Sequence, residues 1–331
     1  MTARPTHGGR LREAAQRHGI PLADWLDLST GIHPRPYPVP PPPPDVWQRL
    51  PEEDDGLEAA AAAYYGSAEL LAVAGTQAAI LALPSVLTGT RVAVLAPGYA
   101  EHAWAWRTRR VQACPAEALP EAVAHSDIVV LSNPNNPCGT RFAPEDLLAW
   151  RKQLAARGGW LIVDEAFIDV TPEDSLVPQT GTPGLIVLRS PGKFFGLAGA
   201  RGGFVFAPAA LRAALADALG PWTVSGPTRH ALRAALHDQA WQTTARQQLQ
   251  HEAAQLAAVL NARGLAAQGS ALFQYVRTPH AAALAERLAA KGVLVRCFTE
   301  PAALRFGLPA DATGLSRLAA ALDHALTGIP Q

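Results

Sequence analysis

The sequence predicts an α/β protein with a mostly parallel sheet in a large domain and a smaller α+β domain at the carboxyl end. Three observations lead there. Six short runs between residues 57 and 206 are apolar almost without a break: 70–74, 91–95, 127–131, 160–163, 185–188 and 203–206. A strand that alternated apolar with polar would have one wet face, whereas an unbroken run suits a strand covered on both faces. Helix-compatible segments such as 76–83 and 145–156 lie between the runs, which is the alternation of an open α/β sheet. Beyond residue 207 the chain turns alanine-rich and helical, with few apolar runs.

Taken in order, the first 50 residues are mostly irregular. A short amphipathic helix is expected over 11–17, stopped by Gly19 and Pro21. The proline-rich segment from His33 to Pro44 can be neither helix nor central strand, so it reads as an extended arm or linker. The sheet domain is expected over 51–206 and the smaller domain over 207–331. In the latter, a long helical region covers about 228–263. Strand 272–276, helix 281–290, strands 293–297 and 304–307 and a final helix over 312–326 follow.

Composition narrows the function. The 331 residues carry 28 Lys plus Arg against 28 Asp plus Glu, so charge gives no reason to expect nucleic acid or an anionic membrane as partner. Cys114, Cys138 and Cys297 are too few and too far apart for a disulfide framework or a four-cysteine zinc site; they suit a reducing cytoplasm, and no metal is expected. The amino terminus lacks the apolar segment of a signal peptide. The longest apolar run, 78–87, contains Pro84 and falls well short of the roughly 20 residues that span a bilayer.

Four stretches carry chemistry, each at the end of an expected strand, where α/β sheets bind ligands. In AGTQAAI, Gly75 allows a tight turn and Thr76–Gln77 open a helix whose N–H groups suit a phosphate; an ordinary strand-to-helix turn looks the same. In SNPNNPCGT, two prolines stiffen a turn that presents the amides of Asn135 and Asn136. In LIVDEAFID, a buried strand ends in Asp164–Glu165. A carboxylate there is expensive unless paired, and one that stays ionised can hold a cationic ring nitrogen; a salt bridge or helix cap is the plainer role, more so for Glu165. In LRSPGKFFGLAGARGGF, Ser190, Lys193 and Arg201 sit among glycines and aromatics. A lysine in such a turn can act as an amine nucleophile, although an exposed loop lysine is the alternative.

Asn136, Asp164, Lys193 and Arg201 are spaced 28, 29 and 8 residues apart. In that order and spacing the chain resembles the fold-type-I pyridoxal-phosphate enzymes, in the histidinol-phosphate aminotransferase branch. The opening HGG, LDLSTGIHPRPYP, GYAEH, DEAFID, SPGKFFGLAGAR and LRFGLP are similar to the threonine-phosphate decarboxylase family of cobalamin biosynthesis. The resemblance implies pyridoxal 5′-phosphate as cofactor and decarboxylation of threonine O-phosphate to aminopropanol phosphate. It implies that Lys193 bonds to the cofactor, Asp164 pairs with its pyridine nitrogen with His102 behind it, Tyr99 stacks on the ring and Asn136 donates to the ring oxygen. Gly75, Thr76, Gln77, Ser190 and Arg201 would hold the cofactor phosphate. Arg305 would clamp the substrate carboxylate, with His7, Gly31 and Arg141 toward the rest of the substrate.

Four positions depart from the pattern. Phe167 stands where the aminotransferases carry a tyrosine, Gly192 where a hydroxyl residue is usual, Leu50 where a neighbouring subunit often offers a tyrosine, and Gly31 where an asparagine is common. The competing expectations are an aminotransferase acting on a histidinol-phosphate-like substrate and a non-catalytic pyridoxal-binding regulator. The second would need an added basic DNA-binding module, which the proline-rich first 50 residues do not resemble. The resemblance also implies a cytoplasmic homodimer whose partner is a phosphorylated amino acid rather than nucleic acid or membrane.

Overall fold

The computed structural model describes residue 5 and residues 7–329. Among them the strands run, in chain order, β1 (Leu26–Leu28), β2 (Leu70–Val73), β3 (Arg91–Leu95), β4 (Arg110–Cys114), β5 (Ile128–Ser132), β6 (Trp160–Asp164), β7 (Leu185–Arg189), β8 (Gly203–Phe206), β9 (Ala267–Ser270), β10 (Phe273–Arg277), β11 (Val293–Thr299) and β12 (Ala302–Gly307). They form a sheet of order β2-β8-β7-β6-β5-β3-β4 and a second of order β1-β11-β12-β10-β9. The chain divides into two compact units. One holds Pro36–Asn136 and Thr140–Thr244; the other holds the described residues up to Arg35, Pro137–Gly139, and those from Ala245 onward.

These divisions differ from the expected boundaries after residues 50 and 206, for two reasons. The N-terminal segment contributes β1, which pairs in parallel with β11 of the carboxyl-terminal sheet, Asp27 opposite Leu294. The first helices after residue 207 belong with the large sheet: Leu211 and Leu215 pack into the same core as Val73, Ile80 and Val205. Arg229, from the helix Gly226–His237, is buried and ion-paired to Asp55 and Glu58.

In the large sheet β4, β3, β5, β6 and β7 are mutually parallel, and β8 lies antiparallel between β7 and β2. The unbroken apolar runs are explained by burial on both faces. Val92, Val94, Ile128, Val130, Ile162, Ile186, Leu188 and Val205 join Trp106 and helix residues Ile80 and Leu83 in one core. The alternate residues Val129, Leu131, Leu161, Val163, Leu185 and Val187 are equally buried. The long helical region is two helices, Gly226–His237 and Gln239–Asn261, broken at Asp238, whose carboxylate accepts the Trp241 N–H at 2.9 Å.

In the smaller sheet β12 lies antiparallel between β10 and β11. His33 is buried in this unit, and its Nδ1 accepts the Arg35 N–H at 3.0 Å, so the ring must stay neutral there. Burial, reinforced by the Arg35 charge, lowers its pKa from 6.5 to about 4. The unfolded chain takes up this proton first as pH falls. Stability from His33 is therefore complete above about 6.5 and drains away toward pH 4, by up to roughly 3 kcal/mol at about 1.4 kcal/mol per pH unit. His33→Asn should unfold in urea with a shallower dependence on pH across that window than the parent chain.

Candidate active site

β2, β3, β5, β6 and β7 all point their carboxyl ends the same way, because β8 alone reverses direction. The four stretches singled out in the sequence thus gather along one sheet edge: 74–77 after β2, 133–136 after β5, 164–167 at the end of β6 and 190–193 after β7. The 96–102 segment after β3 joins them, and so does Arg201, just before β8.

Asp164 ends β6 with 5% of its surface exposed. Its Oδ2 lies 3.0 Å from His102 Nε2, and its Oδ1 accepts the Ala166 N–H at 3.1 Å. Both oxygens keep a further lone pair, so a buried, oriented carboxylate can still accept from a ring N–H. His102 is held on the short helix Ala100–Ala105, edge-on to Tyr99 with ring centroids 5.7 Å apart. Burial, with the nearby Asp164 and Glu101 charges, raises the Tyr99 phenol to about 12, so it stays protonated.

Gln77 makes contacts that the sequence did not disclose. Its Nε2 donates to buried Glu101 at 2.9 Å, while its Oε1 accepts the Tyr99 hydroxyl at 3.0 Å. A carboxylate only accepts, so it fixes which end of the amide faces it. What Gln77 has for an anion is therefore its backbone N–H, at the open start of the helix Thr76–Val86. The same helix start is a close-fitting cradle. A Cβ on Gly75, at φ +75°, would lie 2.8 Å from Arg201 Nη2, and one on Gly203 would lie 2.7 Å from the Thr76 nitrogen. Arg201, itself left-handed at φ 58°, is thereby brought to an N–H cluster where its exposed guanidinium can meet an anion.

Lys193 sits in the one-turn helix Pro191–Phe194 that follows Ser190, with Nζ 5.9 Å from the centre of the buried Phe167 ring. The NPNNP turn is stitched by two of its three asparagines. Asn133 exchanges hydrogen bonds with both Phe142 backbone groups, at 3.0 and 3.1 Å, and Asn135 donates to the Pro97 carbonyl at 2.8 Å. Asn135, expected to face a ligand along with Asn136, is thus buried in the turn's own scaffold. Arg141 reaches Thr171 at 2.9 Å and Asp174 at 3.2 Å on the surface.

The remaining candidates lie in the other unit. Arg305 is 7% exposed on β12, and its Nη2 donates to the Ser29 carbonyl at 3.0 Å. That same carbonyl is where Gly8 packs so closely that a Cβ would come within 2.4 Å, and the Gly9 N–H reaches Ser29 Oγ at 2.9 Å. The HGG segment is therefore seated on Ser29, with His7 exposed and Gly31 buried. Sequence reading passed over Arg296. It lies directly opposite Arg305 across the β11–β12 pair, so the two side chains share a face. Burial and then the Arg296 charge pull Arg305 down to about 10, still protonated at neutral pH, while burial and the charge of Arg10 lower Arg296. Like charges directly opposed on a sheet repel. The clue available in the sequence was an arginine inside the apolar run VLVRCF.

The parts along the edge of the large sheet fit pyridoxal phosphate: a buried, histidine-backed carboxylate for a ring N–H, an amine at Lys193, and a glycine-lined helix start with an arginine for a phosphate. Among the described residues no group of three or more His, Cys, Asp and Glu is placed to hold a metal ion, and no helix is long and apolar enough to cross a membrane.

Residues 50–322 match the family model of aminotransferase class I and II. The chain is 53% identical over 322 residues to a threonine-phosphate decarboxylase from Pseudomonas aeruginosa, covering 96% of each. It is 42% identical over 333 residues to one from a Sinorhizobium species, covering 97% of this chain and 98% of that one. A crystal structure of histidinol-phosphate aminotransferase from Sinorhizobium meliloti, in complex with pyridoxal 5′-phosphate, superposes with a TM-score of 0.85 at 21% identity, covering 99% of this chain and 96% of the other. That last likeness speaks for the fold alone.

Proposed function

This chain belongs to the aminotransferase class I and II family and, within it, to the threonine-phosphate decarboxylases, and from that premise we propose that it decarboxylates L-threonine O-3-phosphate to (R)-1-amino-2-propanol O-2-phosphate for cobalamin biosynthesis, with pyridoxal 5′-phosphate as cofactor. The observation that carries the reading is Asp164, buried at a strand end and backed by His102 at 3.0 Å. When bound, pyridoxal phosphate supplies the electron sink that makes loss of a carboxylate from an amino acid feasible.

The protein's own residues divide the remaining work. Asp164 holds the ring nitrogen protonated, and His102 keeps that carboxylate oriented. Lys193 would supply the amine that holds the cofactor and would serve as the proton donor to the substrate α-carbon. Thr76, Gln77 through its backbone, Ser190 and Arg201 receive the cofactor phosphate at the helix start that Gly75 keeps open. Tyr99, with its hydroxyl proton committed to Gln77, would offer its ring to the face of the cofactor. Asn136 would donate to the ring oxygen, where Phe167 has no hydroxyl to add a second bond.

A substrate carrying a carboxylate and a phosphate suits a pair of arginines. Arg305 takes the carboxylate and Arg296 the phosphate; the HGG segment seated on Ser29 keeps His7 and Gly31 in the same neighbourhood. Arg141, engaged by Asp174, has the weaker claim. A charge-assisted hydrogen bond is worth about 1.5–3 kcal/mol. Arg296→Met should therefore raise KM for threonine O-phosphate by roughly 10- to 100-fold with a smaller change in kcat, and narrow the preference over unphosphorylated threonine. Steady-state kinetics on both substrates tests this. We take the working form to be a cytoplasmic homodimer.

The deciding experiment supplies purified protein with pyridoxal phosphate and threonine O-phosphate and no keto acid. Catalytic release of carbon dioxide with accumulation of aminopropanol phosphate is the expected result. Turnover only after 2-oxoglutarate is added would instead make the chain an aminotransferase.

A further inference from the structure

Behind the sheet edge that carries the site lies an ionic cluster with no access to water. Arg189, the last residue of β7, is 1% exposed. Its Nη1 reaches Glu165 Oε2 at 3.1 Å and Ser175 Oγ at 2.9 Å, and its Nη2 reaches Asp169 Oδ1 at 2.7 Å. Glu165 also accepts the Leu176 N–H at 2.8 Å and the Ser175 hydroxyl at 2.5 Å. The Tyr64 hydroxyl donates to Asp169 at 2.9 Å, and the guanidinium lies 4.4 Å from the centre of the Tyr65 ring.

Burying three charges is costly, and an apolar cluster of the same volume is often at least as stable, so stability is a poor explanation for it. Its position offers a better one. Glu165 is the residue after Asp164, and its N–H donates to the Leu188 carbonyl at 2.9 Å, tying the two strand ends together. Arg189 precedes Ser190 and stands four residues before Lys193. Phe167, whose ring is beside Lys193, sits on the arc between Glu165 and Asp169. One planar fork, anchored on β7, therefore grips that arc at both ends.

We propose that Arg189, through its fork onto Glu165 and Asp169, is a positioning residue that sets the Lys193 amine and the Phe167 ring against the Asp164 carboxylate. Lysine could keep the charge at this place but could not span both carboxylates and Ser175 in fixed directions. The proposal rests on the reading of Lys193 and Asp164 as cofactor-binding groups.

The test compares the parent chain, Arg189→Lys, Asp169→Ala and Asp169→Asn. Apoproteins are checked by far-ultraviolet circular dichroism and thermal unfolding, then titrated with pyridoxal phosphate. Two readouts report positioning: the dissociation constant, and the visible circular dichroism that the bound cofactor acquires when held in one orientation. Arg189→Lys is expected to fold, to bind pyridoxal phosphate at least tenfold more weakly and to lose at least half of the visible signal. Asp169→Asn keeps an acceptor for the fork and should retain at least fivefold tighter binding than Asp169→Ala; this pair decides the matter if Arg189→Lys does not fold. A folded Arg189→Lys with the parent's affinity and signal overturns the proposal, as do equal losses in the two Asp169 variants. A parent chain that binds no pyridoxal phosphate overturns the underlying functional reading as well, which separates that failure from this one.

Discussion

Lys193→Ala is expected to abolish carbon dioxide release from threonine O-phosphate, with a loss of at least about 10⁴-fold, because nucleophile and proton donor disappear together. The variant should still fold, since Lys193 is only half-buried and its removal leaves the buried strand β7 intact. The phosphate cradle at Gly75, Thr76 and Arg201 is untouched, so pyridoxal phosphate should still bind reversibly. Borohydride, which fixes the lysine–cofactor bond, should label the parent chain and leave the variant unlabelled. Full activity in Lys193→Ala, or borohydride labelling of it, would remove this lysine from the chemistry.

Asp164→Asn is expected to bind pyridoxal phosphate through Lys193 as before but to decarboxylate roughly 10²–10³-fold more slowly, the scale on which a preorganised electrostatic contact acts. The amide keeps the shape and can still bond the Ala166 N–H, now with no charge to hold the ring nitrogen protonated. Asp164→Ala should be worse folded as well as inactive. It strands buried His102 Nε2, and an unsatisfied buried polar group costs about 1–3 kcal/mol. His102→Asn, which can still donate toward Asp164, should fall between the parent and Asp164→Asn. If single-turnover rates for Asp164→Asn matched the parent, the ring-nitrogen role would be wrong.

The sequence made the core of the fold legible where physics leaves a strong mark. β5, β6 and β7 are unbroken apolar runs because both faces are covered, and β3 and β8 were readable for the same reason. β4 was missed because it is a half-exposed edge strand, RVQAC, with no such run. β1 is three residues long and β9, AQGS, is built of small and polar residues; each is a strand only because a distant partner pairs with it. The site divides in the same way. Asp164 and Lys193 stand out because they end or follow buried strands, whereas the bridge from Gln77 to Glu101 and the pairing of Arg296 with Arg305 depend on register and on contacts 24 and 9 residues apart. Arg141 looked available because Asp174, its ion-pair partner, lies 33 residues further on.

The pairing of β1 with β11 bears on how the chain is made. Among the described strands β1 is made first, and it hydrogen-bonds to a strand that begins at Val293, 265 residues after Leu28. Every strand of the large sheet, in contrast, has been synthesised by Phe206. The large sheet can therefore form during translation, while Leu26–Leu28 must wait with its edge unsatisfied until β11 has been made, an interval in which holdase chaperones matter. A stop codon between Phe206 and Val293 would leave the large sheet's strands intact and β1 with no partner strand.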